Sequence, residues 1–334
     1  MKSTKHDAGA SIGSKEFFEK TNRIELMHKV DIELSQFVES KTGNLRDDLN
    51  LVYRNCPVCQ SKGYVTSFYK YGFPHLVCKN CSMLYVSPIL SEATLNEFYK
   101  DSVICNGAYE VVNSDTQREF DSPKFIEGIN TITKHNSNKR GKLLDIGCLT
   151  GHFMEVATNY GWDCTGIELH TKAYNFCKSS NLNVYNRPLD KINFENNYFD
   201  AITMWDVLEH LPNPKKVLST INHILKSNGI LLILVPNGGS LAARILREQC
   251  NMFNGCQHIN LFSLPTIELL LDSFQILEKK TLISEFSVLT NYLNYDHPYL
   301  GKGEKCTHLL DIIDESKLHD NYLGYKLQIV AKKQ

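Results

Sequence analysis

Two acidic side chains and two glycines form the part of this sequence best suited to chemistry. Asp145 ends an apolar run, Gly147 and Gly151 follow it, and Glu168 ends a second apolar run 17 residues after Gly151. A strand, a glycine turn and a helix start in this order build a nucleotide-binding crevice at the carboxyl end of a parallel sheet. Glycines let the backbone approach a ligand closely, and a carboxylate placed like that of Glu168 accepts hydrogen bonds from both ribose hydroxyls.

The glycine spacing disfavours a dinucleotide site. The dinucleotide fingerprint is G-x-G-x-x-G, whereas this chain has Gly147-x-x-x-Gly151 followed by His152 and Phe153. A helix start without a phosphate cradle suits a ligand without a pyrophosphate. The missing third glycine therefore argues against a nicotinamide dehydrogenase.

This run resembles motif I of class I methyltransferases that use S-adenosylmethionine (SAM), and later motifs keep that family's order. Residues 199–205 read as the fourth strand, "LEHLPNP" follows at 208–214, and 229–236 is a continuous apolar run, as in a strand buried on both faces. The resemblance implies an α/β fold with a Rossmann-like, seven-stranded methyltransferase sheet whose last strand is antiparallel. The sequence departs from the family at Leu149, where the middle glycine is usual.

The same resemblance implies residues for each part of SAM. Asp145 would hold or orient the amino-acid end, and Glu168 would bind the ribose. Asp190 lies where the family often contacts the adenine amino group, while Trp205 and Asp206 would line the cofactor's wall. The predicted cofactor-binding residues are Asp145, Gly147, Gly151, Glu168, Asp190, Trp205 and Asp206.

Four cysteines upstream have the spacing of a zinc site. Cys56 and Cys59 form one C-x2-C pair, and Cys78 and Cys81 form another after 18 intervening residues, which is a strong zinc signal. Four thiolates close a tetrahedron and leave no open position, so the predicted zinc is structural. The segment resembles the zinc-ribbon head of bacterial sugar C-methyltransferases and of related surface-polysaccharide and natural-product methyltransferases.

Two histidines are candidate general bases. His258 follows the fifth strand in "QHINLFS", and the sugar C-methyltransferases have a similar "EHxxxFS" whose His lies in the active site. Gln257 replaces the Glu of that pattern. His210, in "LEH", also matches a site His of those enzymes. A histidine can take a proton from a hydroxyl or from a carbon beside a ketone. The alternative is structural: His258 could cap a helix, and His210 could anchor the loop under SAM.

The rest of the chain must position these groups. We predict an N-terminal helical segment (1–50), a small zinc ribbon (51–90), a helical connector (91–140) and the SAM-binding domain (141–334). Within that domain, helical spacing covers 215–226 and Asn228-Gly229 would cap the helix. Substrate caps are predicted at about 238–265 and at 284–321, an insertion rich in Tyr and His that is too long for a turn.

Bulk properties narrow the possible partners. The 334 residues are 42% hydrophobic, and the net charge of -1 gives no global attraction to nucleic acid or anionic membrane. No apolar stretch reaches the roughly 18 residues of a membrane helix. Eleven cysteines without an apolar signal core indicate a reducing cytosol, where paired cysteines bind metal.

These features predict a cytoplasmic enzyme, monomer or homodimer, that methylates a small polar metabolite at C or O. The favoured acceptor is a nucleotide-linked sugar or another surface-glycan or natural-product precursor. One alternative is an RNA methyltransferase with a zinc head, disfavoured by the near-neutral charge and by the lack of an N-P-P-[YF] motif after the fourth strand. The other is a non-catalytic SAM-binding scaffold, disfavoured by the intact acidic and glycine positions of motif I. No nucleic-acid or membrane partner is expected.

Overall fold

The computed structural model of the chain describes residues 20–21, 23–283 and 315–334. Most of the predicted cap at 284–321 and the start of the predicted N-terminal helical segment lie outside these residues. None of the helices in the described ranges is long and apolar enough to cross a membrane.

The N-terminal part consists of short strands and helices. Its first helix lies within residues 1–50, and its other three helices lie within residues 91–140. Ser91 caps the first connector helix, because its Oγ accepts a hydrogen bond from the backbone N–H of Thr94 at 3.3 Å. The elements are α1 (Arg23–Ser35), β1 (Leu51–Val52), β2 (Tyr64–Lys70), β3 (Phe73–Cys78), β4 (Leu84–Val86), β5 (Ile89–Leu90), α2 (Glu92–Lys100), α3 (Val103–Val112) and α4 (Asp115–His135).

A seven-stranded sheet forms the centre of the C-terminal part. Its strands are β6 (Lys142–Ile146), β7 (Asp163–Ile167), β8 (Val184–Tyr185), β9 (Phe199–Trp205), β10 (Leu225–Pro236), β12 (Phe274–Leu282) and β13 (Lys326–Lys333). The two-residue strand β11 (Asn260–Leu261) lies in a different sheet. The order is β12-β13-β10-β9-β6-β7-β8. Strands β6 to β10 are parallel, and β13 runs antiparallel to both of its neighbours. The predicted α/β sheet with an antiparallel last strand is confirmed.

Helices cover both faces of this sheet. On one face, α4 packs with the helix that follows the motif I turn; on the other, the helices after β9 and β11 cover the sheet. The residues from Ile230 to Val235 are at most 2% exposed, which explains why their sequence is a continuous apolar run. These helices are α5 (His152–Asn159), α6 (Thr171–Ser179), α7 (Pro214–Ile224), α8 (Leu241–Leu246), α9 (Leu264–Leu270) and α10 (Glu315–Asp320).

The predicted cap of the helix before β10 is wrong. Helix α7 ends at Ile224, and Leu225 already pairs with Phe199 as the first residue of β10. Leu225 is fully buried, so packing its side chain in the core stabilises the fold more than one further helical turn would. Asn228, with a φ of +63°, and Gly229 instead lie in an irregular part of the strand, where the register shifts between Leu225 and Ile230.

The ribbon is joined to the rest of the chain through its own sheet. Strands β2, β3 and β4 form the predicted hairpin region, and β11 extends it in the order β11-β4-β3-β2. Asn260 pairs with Tyr85, and Leu261 pairs with Leu84. A strand from the predicted substrate-cap region therefore completes the sheet of the four-cysteine segment.

Candidate active site

A cavity of about 510 Å³ lies at the carboxyl ends of β6, β7 and β9. Strands of a parallel sheet end on one edge, which is where ligands bind in open α/β sheets. Most of the predicted site residues line this cavity: Asp145, Gly147, Glu168, Asp190, Trp205, Asp206 and His210. Gly151 and His258 do not.

Asp145 is held at the floor of the cavity as a buried acid. Its side chain is 1% exposed, and Thr203 donates a hydrogen bond from Oγ1 to Oδ1 at 2.7 Å. Burial raises the pKa of Asp145 to about 7. A cationic group on a ligand would favour the charged carboxylate and so draw its proton off.

Glu168 fixes the motif I turn. Its Oε2 accepts a hydrogen bond from the backbone N–H of Leu149 at 2.8 Å, and its Oε1 accepts one from His170 at 2.7 Å. Burial raises the pKa of Glu168, while these backbone N–H groups act in the opposite direction. Each carboxylate oxygen retains a further lone pair, so both can also accept a ligand hydroxyl.

Leu149 explains how the turn forms without the usual glycine. Its φ is +45°, in the left-handed region that normally favours glycine. The hydrogen bond from Leu149 to Glu168 holds this conformation. The ligand-facing backbone of the turn is therefore kept although the side chain differs from the family pattern.

The two motif I glycines have different roles. Both have a φ of +73°. A Cβ at Gly147 would lie 2.5 Å from Cγ2 of Val207, and one at Gly151 would lie 2.2 Å from Cδ1 of Leu182. Gly147 lines the cavity, whereas Gly151 is the N-cap of α5 and lets the turn pack against Leu182.

Asp190 and Trp205 line the cavity and have different neighbours. Nζ of Lys216 lies 2.8 Å from Oδ2 of Asp190, and the hydrogen bond from Lys216 lowers the pKa of Asp190. The ring of Trp205 packs against Phe125 and Phe153 with centroid distances of 5.1 Å. Its buried Nε1 has no hydrogen-bond partner in the described part of the chain, so it can donate to a ligand.

Asp206 turns the chain sharply after β9. It has a φ of +56°, and Nζ of Lys326 lies 2.6 Å from its Oδ1. Burial acts most strongly, to raise the pKa of Asp206, but the charge of Lys326, its hydrogen bond and the charge of Lys124 together outweigh burial, and the pKa falls below its usual value. The ion pair fixes the start of the loop that carries His210.

The two candidate bases lie beside each other, with only one of them on the cavity wall. The ring centroids of His210 and His258 are 5.0 Å apart. Nδ1 of His210 lies 3.1 Å from the carbonyl oxygen of Gln257, and Nδ1 of His258 lies 2.7 Å from that of Met252. Burial lowers the pKa of His210 to about 4 and that of His258 to about 3. Both rings are therefore neutral near pH 7.

Glu209 is a buried acid beside these rings that the sequence motif did not single out. It is fully buried, and neither of its carboxylate oxygens has a hydrogen-bond partner among the described residues. Burial raises its pKa well above the usual value. The "LEH" sequence predicts only an anchor for the loop. The structure places Glu209 next to His210 and His258.

The four cysteines converge as the spacing predicts. Sγ of Cys56 lies 3.5 Å from that of Cys81, and Sγ of Cys59 lies 3.5 Å from that of Cys78. All four sulfurs lie within 4.8 Å of one another. Zinc–sulfur bonds of about 2.3 Å give a tetrahedron with edges of about 3.8 Å, so the cluster fits a tetrahedral zinc with little rearrangement.

A sequence model described as "Methyltransferase domain" matches residues 117–275, slightly less than half of the chain. This segment contains motif I, the cavity acids and both histidines. The segment is thus similar to methyltransferase domains. The match does not reach the four cysteines at 56–81.

Curated relatives match a part of the same region. The chain is 32% identical over 107 residues to a protein named ubiquinone biosynthesis O-methyltransferase from Glaesserella parasuis, covering 29% of this chain and 45% of that protein. It is 30% identical over 122 residues to a protein of the same name from Methylococcus capsulatus, covering 34% and 51%. The chain spans about half the length of the curated relatives it matches.

Solved structures cover more of the chain at lower identity. One is a SAM-dependent methyltransferase from Archaeoglobus fulgidus, with 21% identity, a TM-score of 0.48, and coverage of 65% of this chain and 94% of that chain. Another is the plantazolicin methyltransferase BpumL in complex with SAH, with 18% identity, a TM-score of 0.47, and coverage of 72% and 94%.

Proposed function

We propose that the whole chain is an enzyme that binds SAM in the 510 Å³ cavity and transfers its methyl group to a small metabolite. The observation that carries this proposal is that Asp145, Gly147 and Glu168 meet on one cavity at the carboxyl edge of a methyltransferase domain. Incubation with methyl-labelled SAM and a panel of acceptors tests it, with transfer of label as the supporting result.

Each part of SAM has a proposed partner in the cavity. Glu168 accepts from the ribose hydroxyls, and Asp145 attracts the amino group of the methionine part. Asp190 lies at the adenine end together with Lys216, and Trp205 forms part of the wall. Gly151 supports the site from outside the cavity by allowing the turn that places Gly147.

Replacing Glu168 with Ala is expected to weaken SAM binding by roughly 1.5–3 kcal/mol, about 10- to 150-fold in Kd, because hydrogen bonds to a charged acceptor are lost. Calorimetric titration with SAM measures the change. Glu195→Ala, at an exposed position, is the matched control and should bind SAM like the wild type. Equal affinity of Glu168→Ala and wild type would contradict the assignment.

SAM affinity is expected to fall as the pH drops below about 7, the pKa to which burial raises Asp145. The cationic ligand favours the carboxylate, so below this pKa a proton must leave on binding, and Kd should rise by up to about tenfold per pH unit. Above it the carboxylate is already charged and the dependence should flatten. Titrations from pH 6 to 8 measure this.

The Asp145→Asn variant is the control for that pH dependence. It removes the titrating carboxyl while keeping a side chain of similar size, so it should bind more weakly and with a flatter profile. A wild-type Kd that is the same across this range would show that Asp145 does not contact the charged end of SAM.

The histidine side of the cavity is the proposed place of methyl transfer. The enzyme must align the sulfonium methyl with the attacking atom and exclude water, and a neutral imidazole beside the acceptor can assist loss of the acceptor's proton. We place His210 next to the acceptor because it lines the cavity. His258 lies behind it, against the carbonyl of Met252.

For the acceptor, we propose a nucleotide-linked sugar or another surface-glycan or natural-product precursor, methylated at C or O. The proposal is supported by the resemblance of the four-cysteine ribbon and the two histidines to sugar C-methyltransferases. The four cysteines would hold a structural zinc. RNA methylation ranks lower because the net charge is -1 and phosphate contacts need a basic surface.

A second acceptor class, an aromatic hydroxyl, is favoured by an apolar part of the cavity wall. Leu95, Ala108, Val112 and Phe125 line it, and the curated relatives are named for ubiquinone biosynthesis. An acceptor panel with keto and hydroxy nucleotide sugars in one arm and catechols in the other decides between them. Label found only in a catechol would overturn the sugar proposal.

A further inference from the structure

Three side chains at and behind the cavity wall present only hydrogen-bond acceptors to one another. Carbonyl oxygens lie at Nδ1 of His210 and Nδ1 of His258, at 3.1 and 2.7 Å. Since a carbonyl can only accept, each ring carries its proton on Nδ1 and presents a lone pair on Nε2. Glu209 adds two fully buried oxygens that receive no hydrogen bond from the described residues.

Such a set of acceptors favours a positively charged guest. Buried polar groups are costly when they have no partner, and no N–H or O–H of the described residues reaches the carboxylate of Glu209. A proton on Glu209 could satisfy one contact. A divalent cation would satisfy the carboxylate and both imidazoles together.

We propose that Glu209, His210 and His258 form a second metal site, separate from the four cysteines, which takes a divalent transition metal such as zinc. Their candidate ligand atoms lie within 4.8 Å of one another. Two imidazoles and one carboxylate form the donor set of open, catalytic zinc sites and of non-haem iron sites.

The surroundings support ligation by the two rings. Metal-bound histidines usually donate the other ring N–H to a carbonyl or a carboxylate, which fixes the tautomer, and this is the arrangement at Gln257 and Met252. The nearby cation Lys326 is paired with Asp206 at 2.6 Å, so the charge of Glu209 remains available to a metal.

The distances require a modest closure. Nε2 of His210 lies 3.9 Å from Oε1 of Glu209. Metal bonds of about 2.1 Å to nitrogen and oxygen place tetrahedral ligands about 3.4 Å apart. Since the candidate ligand atoms lie within 4.8 Å of one another, each pair must approach by at most about 1.4 Å to reach this separation.

The site deepens the proposed function, on which its chemical use rests. His210 lines the cavity, so a cation at this cluster would lie beside the proposed acceptor. Bound there, a divalent metal supplies Lewis-acid charge that eases loss of the acceptor's proton. With the metal bound, His210 and His258 would act as ligands in place of the proton-transfer role proposed for His210, and Glu209 would supply the negative charge that holds the metal.

Elemental analysis of the full chain after zinc loading and desalting tests this inference. The wild type should retain two zinc ions per chain. Glu209→Gln, which keeps the shape but removes the charge, should retain one, at the four cysteines. Glu195→Gln, at an exposed position, should retain two. Circular dichroism melting identifies a variant that fails to fold, in which case His258→Gln replaces Glu209→Gln.

Cobalt substitution separates the two sites by their colour. Cobalt bound to the cysteines gives sulfur-to-metal charge-transfer absorption, whereas a cobalt ion held by nitrogen and oxygen adds only ligand-field bands. Glu209→Gln should lose the ligand-field bands of the second cobalt and keep the charge-transfer absorption of the first.

One zinc per wild-type chain, or two in Glu209→Gln, would overturn the second site; the first result would mean that Glu209 holds a proton instead. These outcomes do not depend on methyl transfer. A chain that binds SAM but retains one zinc disproves only the second site, and one that retains two zinc ions but binds no SAM disproves only the proposed function.

Discussion

Replacing Cys78 with Ser is expected to remove zinc from the four-cysteine cluster and to unfold the ribbon. Structural zinc contributes an apparent binding free energy of about 10–16 kcal/mol at pH 7 in small zinc domains, much of it as folding energy. Three remaining cysteines cannot complete the tetrahedron. Zinc content and thermal unfolding of the purified protein measure the loss.

The damage should extend beyond the ribbon because the ribbon shares its core and one strand with the methyltransferase domain. Cys56, Cys78 and Tyr85 pack in the same apolar cluster as residues of the main sheet. Arg54 donates hydrogen bonds to the carbonyl oxygens of Pro212 at 3.1 Å and Ile259 at 2.6 Å. Turnover should therefore fall more than SAM affinity, because these hydrogen bonds connect the ribbon to the loops that carry His210 and His258.

Cys164→Ser is the control for that experiment. Cys164 lies outside the four-cysteine cluster, and its Sγ lies 3.8 Å from the carbonyl oxygen of Trp162. This variant should keep its zinc and melt close to the wild type. A Cys78→Ser protein with unchanged metal content and unchanged melting would show that the cluster holds no structural zinc.

Replacing His210 with Ala is expected to lower kcat by about 10²- to 10⁴-fold, the usual contribution of a positioned proton-transfer group. SAM affinity should change far less, because the proposed ribose and amino-group contacts are made by Glu168 and Asp145. Single-turnover methyl transfer with the best acceptor of the panel, together with SAM titration, separates the two effects.

His223→Ala provides the comparison, since His223 is exposed on α7. It should retain wild-type turnover. A His210→Ala enzyme with an unchanged kcat would mean that this histidine only anchors its loop. If His258→Ala lost activity while His210→Ala kept it, the base would be assigned to His258 despite its position off the cavity wall.

The sequence predicts the parts of the site that depend on neighbouring residues. Asp145, Gly147 and Glu168 lie on one cavity because apolar runs, acids and glycine turns alternate in a pattern that parallel strands require. The hairpin between the cysteine pairs is likewise encoded by local β-forming residues and close cysteine spacing. These features involve short segments whose periodicity specifies the fold.

What the sequence leaves open depends on contacts between distant segments. The pairing of Leu84–Val86 with Asn260–Leu261 has no local signal, and neither does the burial of Glu209 against His258. Asn228-Gly229 resembles a helix cap, yet the burial of Leu225 ends the helix earlier. The motif makes His258 a candidate base, but the structure places its Nδ1 against the carbonyl oxygen of Met252 and leaves the residue off the cavity wall.

The contacts of the ribbon indicate a second role besides metal binding. The spacing of its cysteines fits a structural zinc ion, which would stabilise the ribbon. Its sheet also supports the segment 259–261, and Ile259 donates a hydrogen bond to the carbonyl oxygen of Glu209 at 3.0 Å. The ribbon is thus connected through one strand to the acid and the two histidines beside the cavity.

The most direct test of the central claim is calorimetric titration of the full chain with SAM and, separately, with NAD. The proposed function predicts micromolar SAM binding, weakened in Glu168→Ala, and no binding of NAD, because the motif I turn lacks a pyrophosphate cradle. Absence of SAM binding by the folded, zinc-loaded protein would contradict the proposal and would favour a scaffold that acts through other partners.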